Sequence, residues 1–179
     1  MLLTSVFLIL LAAGSTTDIR SRRVPNALVL AMLAGAFVVA LTRPDAPAAM
    51  LAAAGAALLG LALWLPFWLL GMLGAGDVKF FAAGAAWIGP SLTWRAAIVA
   101  ALLGGLYALA VLVWRHGART AVLSVAAQVR DVQSLQLSGG PSLDTVPVAQ
   151  RSLPYAVPMA CALAIAAVWP EVLLDGLVP

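Results

Sequence analysis

The sequence predicts an all-α polytopic membrane protein of about six transmembrane helices, with its amino terminus outside and the loops at residues 18–26, 71–79 and 115–151 on the cytoplasmic side. Three observations predict it. Of the 179 residues, 64% are hydrophobic and only 9% charged, and the mean hydropathy of +1.05 lies far above that of a soluble globular chain. Apolar segments of helical length alternate with short stretches of Pro, Gly and Arg. The basic residues also gather in alternate connections, as they do when a multi-pass chain orients itself in a bilayer. Residues 1–179 read as one integral membrane domain.

The first segment, Leu2–Thr17, lacks the basic start of a signal peptide. Its cluster Arg20, Arg22 and Arg23 follows the apolar run instead, which reads as a membrane helix leading inward. Pro25-Asn26 starts the second segment, Ala27–Leu41. Pro44 and Pro47 break the chain before the third, Ala48–Leu70, inside which Pro66 predicts a kink. The fourth, Val78–Gly89, spans only about 18 Å as a helix, against a hydrocarbon core of roughly 30 Å. Either it continues through Pro90 or its Asp77 end begins below the membrane surface. Irregular backbone at that depth has to line water or protein, so a wet cavity is expected around Gly74–Asp77. Gly89-Pro90 ends this segment; Leu92–Trp114 and Leu153–Trp169 complete the six.

The long polar connection, residues 115–151, reads as a cytoplasmic loop. Val122, Val125, Val129 and Val132 recur at helical spacing within it, and Ser138-Gly139-Gly140-Pro141 is a break. An amphipathic helix on the membrane surface and a loosely ordered loop both fit that pattern.

Alternating the sides from an external amino terminus puts Arg20, Arg22, Arg23, Lys79, Arg115, Arg119, Arg130 and Arg151 inside, and only Arg43 and Arg95 outside. That distribution satisfies the positive-inside rule. It also accounts for the net charge of +3 without nucleic acid, since no basic patch interleaved with aromatics is present. Cys161 is the only cysteine and His116 the only histidine, so no disulfide framework, zinc knuckle or Ser-His-Asp arrangement is available. No metal and no cofactor are expected.

In so uncharged a chain, two carboxylates stand out. Asp18 lies in Thr17-Asp18-Ile19-Arg20-Ser21-Arg22-Arg23-Val24-Pro25-Asn26 and Asp77 in Gly74-Ala75-Gly76-Asp77-Val78-Lys79. A charged side chain at the centre of a membrane helix costs about 2.5–3.5 kcal/mol on insertion scales, so ionisable groups in such segments are usually kept for function. Structural readings exist for both: Asp77 as the N-cap of an apolar helix, Asp18 as a solvated helix end. Their predicted position on one side of the membrane favours a joint role. Two carboxylates can hydrolyse an amide unaided, one taking a proton from water while the other, protonated, polarises the carbonyl. Held close, they keep one proton between them. Gly74 and Gly76 would let the backbone approach an extended substrate and adopt conformations closed to other residues. Lys79, the only lysine, either snorkels to the interface, balances the charge of the pair or contacts an acidic group of the substrate.

Gly74-Ala75-Gly76-Asp77-Val78-Lys79 matches the GxGDxK motif of the type IV prepilin peptidases, and the Asp18–Asn26 segment resembles that family's first aspartate with its basic cluster and Pro-Asn. Pro154-Tyr155-Ala156 resembles the Pro-Tyr-Gly at the start of the family's last helix, with Ala for Gly. The chain has neither the amino-terminal extension nor the four cysteines of the bifunctional members. It therefore resembles the small, peptidase-only branch associated with Flp-type tight-adherence pili. The resemblance implies that Asp18 and Asp77 are the catalytic pair. It implies supporting places for Gly74, Gly76, Lys79, Pro25, Asn26, Arg20 and Tyr155 in shaping the site or holding substrate. The implied substrates are prepilins or pseudopilins, cut at the cytoplasmic face of a bacterial inner membrane between a short basic leader and a hydrophobic helix. Two other classes compete: a proton- or cation-coupled transport subunit, which would place its carboxylates near mid-bilayer, and a non-catalytic assembly subunit of a pilus or secretion apparatus.

Overall fold

The computed structural model describes residues 2–116 and 155–175, and among them the fold is entirely helical. The order is α1 Leu2–Ser21, α2 Asn26–Leu41, α3 Ala46–Leu69, α4 Ala75–Ile88, α5 Pro90–His116, α6 Ala156–Val168 and a short α7, Pro170–Asp175. The expected helix over residues 122–132 and the break at 138–141 lie outside the described residues. The chain divides into two compact units, residues 1–104 with 152–179 and residues 105–151. All site geometry below belongs to the first.

Prolines sit where a helix can use them. Pro90 and Pro170 open α5 and α7, Pro25 is the N-cap of α2, and Pro47 lies in the first turn of α3. Pro47 thus starts the third helix rather than breaking the chain before it, because first-turn N–H groups have no intrahelical acceptor to lose. Pro66 lies inside α3, close to its end. Beyond it the chain closes with a Schellman motif: the Met72 N–H donates to the Phe67 carbonyl and the Gly71 N–H to that of Trp68, each at 2.9 Å. Gly71 supplies the required positive φ of 70°. Gly89, at φ 79°, ends α4 and turns the chain directly into α5, so the fourth helix does not continue through Pro90. Arg95, counted above with the outer connections, lies within α5. Its Nη1 donates to the Leu173 carbonyl of α7 at 2.6 Å, and its guanidinium stands 5.0 Å over Trp94.

Three helices are long and apolar enough to cross a membrane: Leu2–Ser21, Ala46–Leu69 and Pro90–Val111. Helices α2 and α6 are apolar but shorter, and α4, with 14 residues, reaches only about 21 Å. What distinguishes α4 is its position. It touches α1, α2, α3 and α6, and the run Ala82–Ala86 is buried throughout. Small residues allow that approach. A Cβ on Gly60 of α3 would lie 3.2 Å from Ala82 Cα and 3.0 Å from Ala85 Cβ, the small-residue contact by which helices pack when lipid offers no hydrophobic drive between them. Aromatic rings fill the remaining space. Phe7 stacks on Trp87 at 5.0 Å, Trp64 meets Phe81 edge-on at 5.6 Å, and the Trp87 Nε1–H donates to the Met32 carbonyl at 2.8 Å.

Candidate active site

Asp18 occupies the last turn of α1, and the local chain explains how it is presented. Helix α1 ends when Arg22 takes the left-handed conformation, φ 52°, with its N–H on the Asp18 carbonyl at 2.7 Å. That conformation costs a non-glycine residue about 1–2 kcal/mol, and it reverses the chain so that Val24 is buried before Pro25 begins α2. The Asp18 side chain points the other way, into the protein. Its Oδ2 accepts the backbone N–H of Ala156 at 3.2 Å, and the residue is 4% exposed. The reading of Asp18 as a solvated helix end therefore fails.

Asp77 lies in the first turn of α4, but it is not the cap. Gly74 is the N-cap residue, and Asp77 stands three positions on, where a carboxylate reaches back to the cap's own N–H. It does so here: the Gly74 N–H interacts with the Asp77 carboxylate, and the Asp77 N–H donates to the Gly74 carbonyl at 3.1 Å. The carboxylate folds back over Gly74: a Cβ on residue 74 would stand 3.1 Å from Asp77 Oδ2, a tight contact that would press on the carboxylate.

The two glycines thus act differently from the sequence expectation. Gly74 has φ −75° and ψ 144°, open to any residue. Gly76 is helical, and a Cβ there would meet only ordinary contacts with Val24, the nearest at 3.5 Å. Neither uses a conformation reserved for glycine.

The carboxylates converge although they come from separate helices. Asp77 lies near enough to Asp18 to feel its charge, and the half-buried Tyr155 phenol near enough to feel that of Asp77. Among the described residues, the buried polar or charged side chains are Asp18, Asp77 and Thr93. Thr93 satisfies its hydroxyl on the Gly89 carbonyl, which leaves the pair as the buried ionisable groups. Asp77 is 6% exposed, so both carboxylates are covered where a wet cavity was expected around Gly74–Asp77 from the short fourth helix. Ala156, buried itself and hydrogen-bonded to Asp18, contributes to that cover. Two hollows lie elsewhere, one beside Ala36, Arg43 and Trp87, the other beside Trp64, Phe67 and Trp94.

The other residues singled out from the sequence divide. Tyr155 joins the pair, Gly74 supports Asp77, and Gly76 lies against Val24. Arg20, Pro25, Asn26 and Lys79 are exposed, and no ion pair links Lys79 to either aspartate among the described residues. The Ala156 N–H was missed, since a backbone donor leaves no mark in a sequence. His116 ends α5. The described residues contain no cluster of His, Cys, Asp and Glu able to hold a metal ion, and the pair offers two carboxylates and no further ligand.

Chemically, a helix end, a helix start and a third helix start meet around two covered carboxylates. This arrangement suits acid–base work on a substrate that displaces the cover. Comparison with known families gives it a class: residues 5–109 match the type IV leader peptidase family, and the chain belongs to that family, a family of peptidases. The matched region contains both aspartates and ends before Tyr155. No curated protein and no solved structure matches the chain.

Proposed function

We propose that this protein is a membrane-embedded aspartic endopeptidase that removes the short basic leader from prepilins or pseudopilins at the cytoplasmic face of a bacterial inner membrane. The observation that carries the reading is the convergence of Asp18 and Asp77, buried together in an otherwise apolar interior. Burial of ionisable groups without a neutralising cation is costly, and Arg20, Arg22, Arg23 and Lys79 all remain exposed. Such a pair is expected to earn its place through chemistry.

In the proposed reaction one carboxylate removes a proton from water as the oxygen attacks the scissile carbonyl carbon. The other, protonated, donates a hydrogen bond to the carbonyl oxygen and then its proton to the departing amine. The C–N bond breaks, a carboxylic acid and an amine leave, and one proton remains on the pair. Asp18 and Asp77 are the catalytic residues in this reading; Tyr155 and Gly74 shape the site. A leader with basic residues is retained on the cytoplasmic side, so the scissile bond would arrive where the Arg20–Arg23 loop meets the start of α4. Six crossings with an external amino terminus would put both carboxylates there.

Co-expression with a candidate prepilin tests the activity. The wild-type protein shortens the substrate by its leader, and the Asp18→Asn/Asp77→Asn protein, inserted to the same level, leaves it full length. A shortened product with the double variant would overturn the reading. Topology is tested in a Cys161→Ala background, because Cys161 is exposed. A cysteine at Ser21 resists an impermeant thiol reagent in intact cells, whereas one at Thr42 reacts. The opposite pattern would turn the carboxylates away from the leader.

A further inference from the structure

Gly104, a residue of α5 with no place in the reading above, has its bare face against the ring of Tyr155. A Cβ built there would stand 2.9 Å from Tyr155 Cζ and 3.0 Å from its hydroxyl oxygen, closer than such carbons pack. Tyr155 is in turn the N-cap residue of α6. Its ring senses the charge of Asp77, and the next residue, the fully buried Ala156, donates its N–H to Asp18 Oδ2. One dipeptide is therefore linked to both aspartates, by a hydrogen bond to Asp18 and by charge to Asp77, and its Tyr155 ring rests on a glycine.

We propose that Gly104 is a positioning residue for the aspartate pair: its missing side chain seats the Tyr155 ring, and the seated ring fixes where the Ala156 N–H meets Asp18. The proposal rests on the peptidase reading. A phenol ring has only two side-chain torsions with which to evade an obstacle, and interiors are packed too closely to absorb a shift without passing it on. Ala156 follows Tyr155 directly and starts the helix, so displacement of the ring moves the peptide N–H. At 3.2 Å that hydrogen bond is already at the long end of the usual range and has little slack. Gly55 of α3 provides the contrast, since a Cβ there meets nothing within 4 Å.

The test is a double-mutant cycle between positions 104 and 155, read both as prepilin cleavage in membranes and as the thermal midpoint of the detergent-solubilised protein. Gly104→Val is expected to slow cleavage at least about tenfold and Gly104→Ala by a smaller factor, while Gly55→Val stays within about twofold of wild type. In a Tyr155→Ala background, where the ring is gone, Gly104→Val should cost no further activity and no further thermal stability. Incubations long enough to register a thousandfold loss keep that background readable, and Gly104→Ala carries the cycle if the valine variant does not insert. Wild-type cleavage by Gly104→Val, or losses at 104 and 155 that simply multiply, would overturn the proposal. Coupled stability with uncoupled cleavage would leave a structural seat and overturn the positioning role. If the wild-type protein cuts no prepilin, the peptidase reading fails, and the thermal cycle still decides the seat.

Discussion

Helices α3 and α4 are written in nearly the same alphabet, Ala and Gly with a few aromatics, yet they are used in opposite ways. In α3 the buried residues are Ala53, Ala56, Gly60 and Trp64, spaced at three and four residues along a single stripe. The rest of its 24 residues face outward or only partly inward, including exposed Leu51, Leu58 and Leu69. In α4, nine of 14 residues are buried, on every side of the helix. A stripe marks a helix with one neighbouring surface, whereas all-round burial marks one enclosed by others. The difference matters for chemistry. A carboxylate on α3 would face lipid over most of its circumference; on α4, Asp77 is shielded from lipid by the helices around it.

The largest expected effect tests whether the enclosed helix carries the chemistry. Asp77→Asn on α4 and Asp18→Asn on its neighbour should each lower cleavage by at least about a thousandfold, and the double variant should lose little more, because members of a cooperating pair are not additive. The assay is conversion of a co-expressed substrate at matched protein level. Activity retained in either single variant would separate the burial of the pair from its function.

Next in size is a packing contrast between the same two helices. A Cβ on Gly84 of α4 runs into Leu163 of α6, while Gly55 of α3 has open space around it. Gly84→Val should destabilise the protein by about 1–3 kcal/mol, the usual cost of overfilling a packed interior. Gly55→Val should stay within about 0.5 kcal/mol of wild type. Chemical or thermal unfolding in detergent measures both. Equal effects would mean that α4 is no more enclosed than α3.

A smaller change probes the polar tie between α4 and α2. Trp87→Phe keeps an aromatic ring against Phe7 but removes the hydrogen bond to the Met32 carbonyl. The expected loss is about 1 kcal/mol, a typical net value for one such bond, again read from unfolding. No loss would show that water or another donor takes its place.

These contrasts also mark what could be read in the sequence. The order of helices was legible because Pro and Gly act through backbone chemistry that no distant contact can reverse: Pro90 opens α5 and Gly89 ends α4 as their residue types require. Asp18 and Asp77 were legible because a carboxylate is conspicuous among apolar residues. The central place of α4 was not legible, since its Ala-Ala-Gly-Ala-Ala run resembles that of α3 and only the neighbours decide which is enclosed. The Ala156 N–H and the bare face of Gly104 were hidden for a related reason: each acts through what its backbone or missing side chain meets far along the chain. The cavity expected around Gly74–Asp77 was misjudged for the same reason: the length of α4 says nothing of the neighbours that bury Asp77.

Lys79 gives the smallest expected effect. The residue lies two positions after Asp77 in sequence, and charge balance for the pair was one of its readings. Helix geometry separates it from Asp77, however: residues two apart on a helix point to different sides, and Asp77 is buried while Lys79 is exposed. An exposed charge interacts with its surroundings by about 1 kcal/mol at most, which bounds the effect of its removal on the rate at roughly fivefold. Lys79→Gln should therefore leave cleavage within that factor and leave the unfolding midpoint unchanged. The measurement is the initial rate of leader removal, taken at low and at high salt so that any residual charge effect can be recognised by its screening. A loss well beyond that bound, insensitive to salt, would mean that substrate binding draws Lys79 into the site. The enclosed face of α4 would then be only part of the active surface.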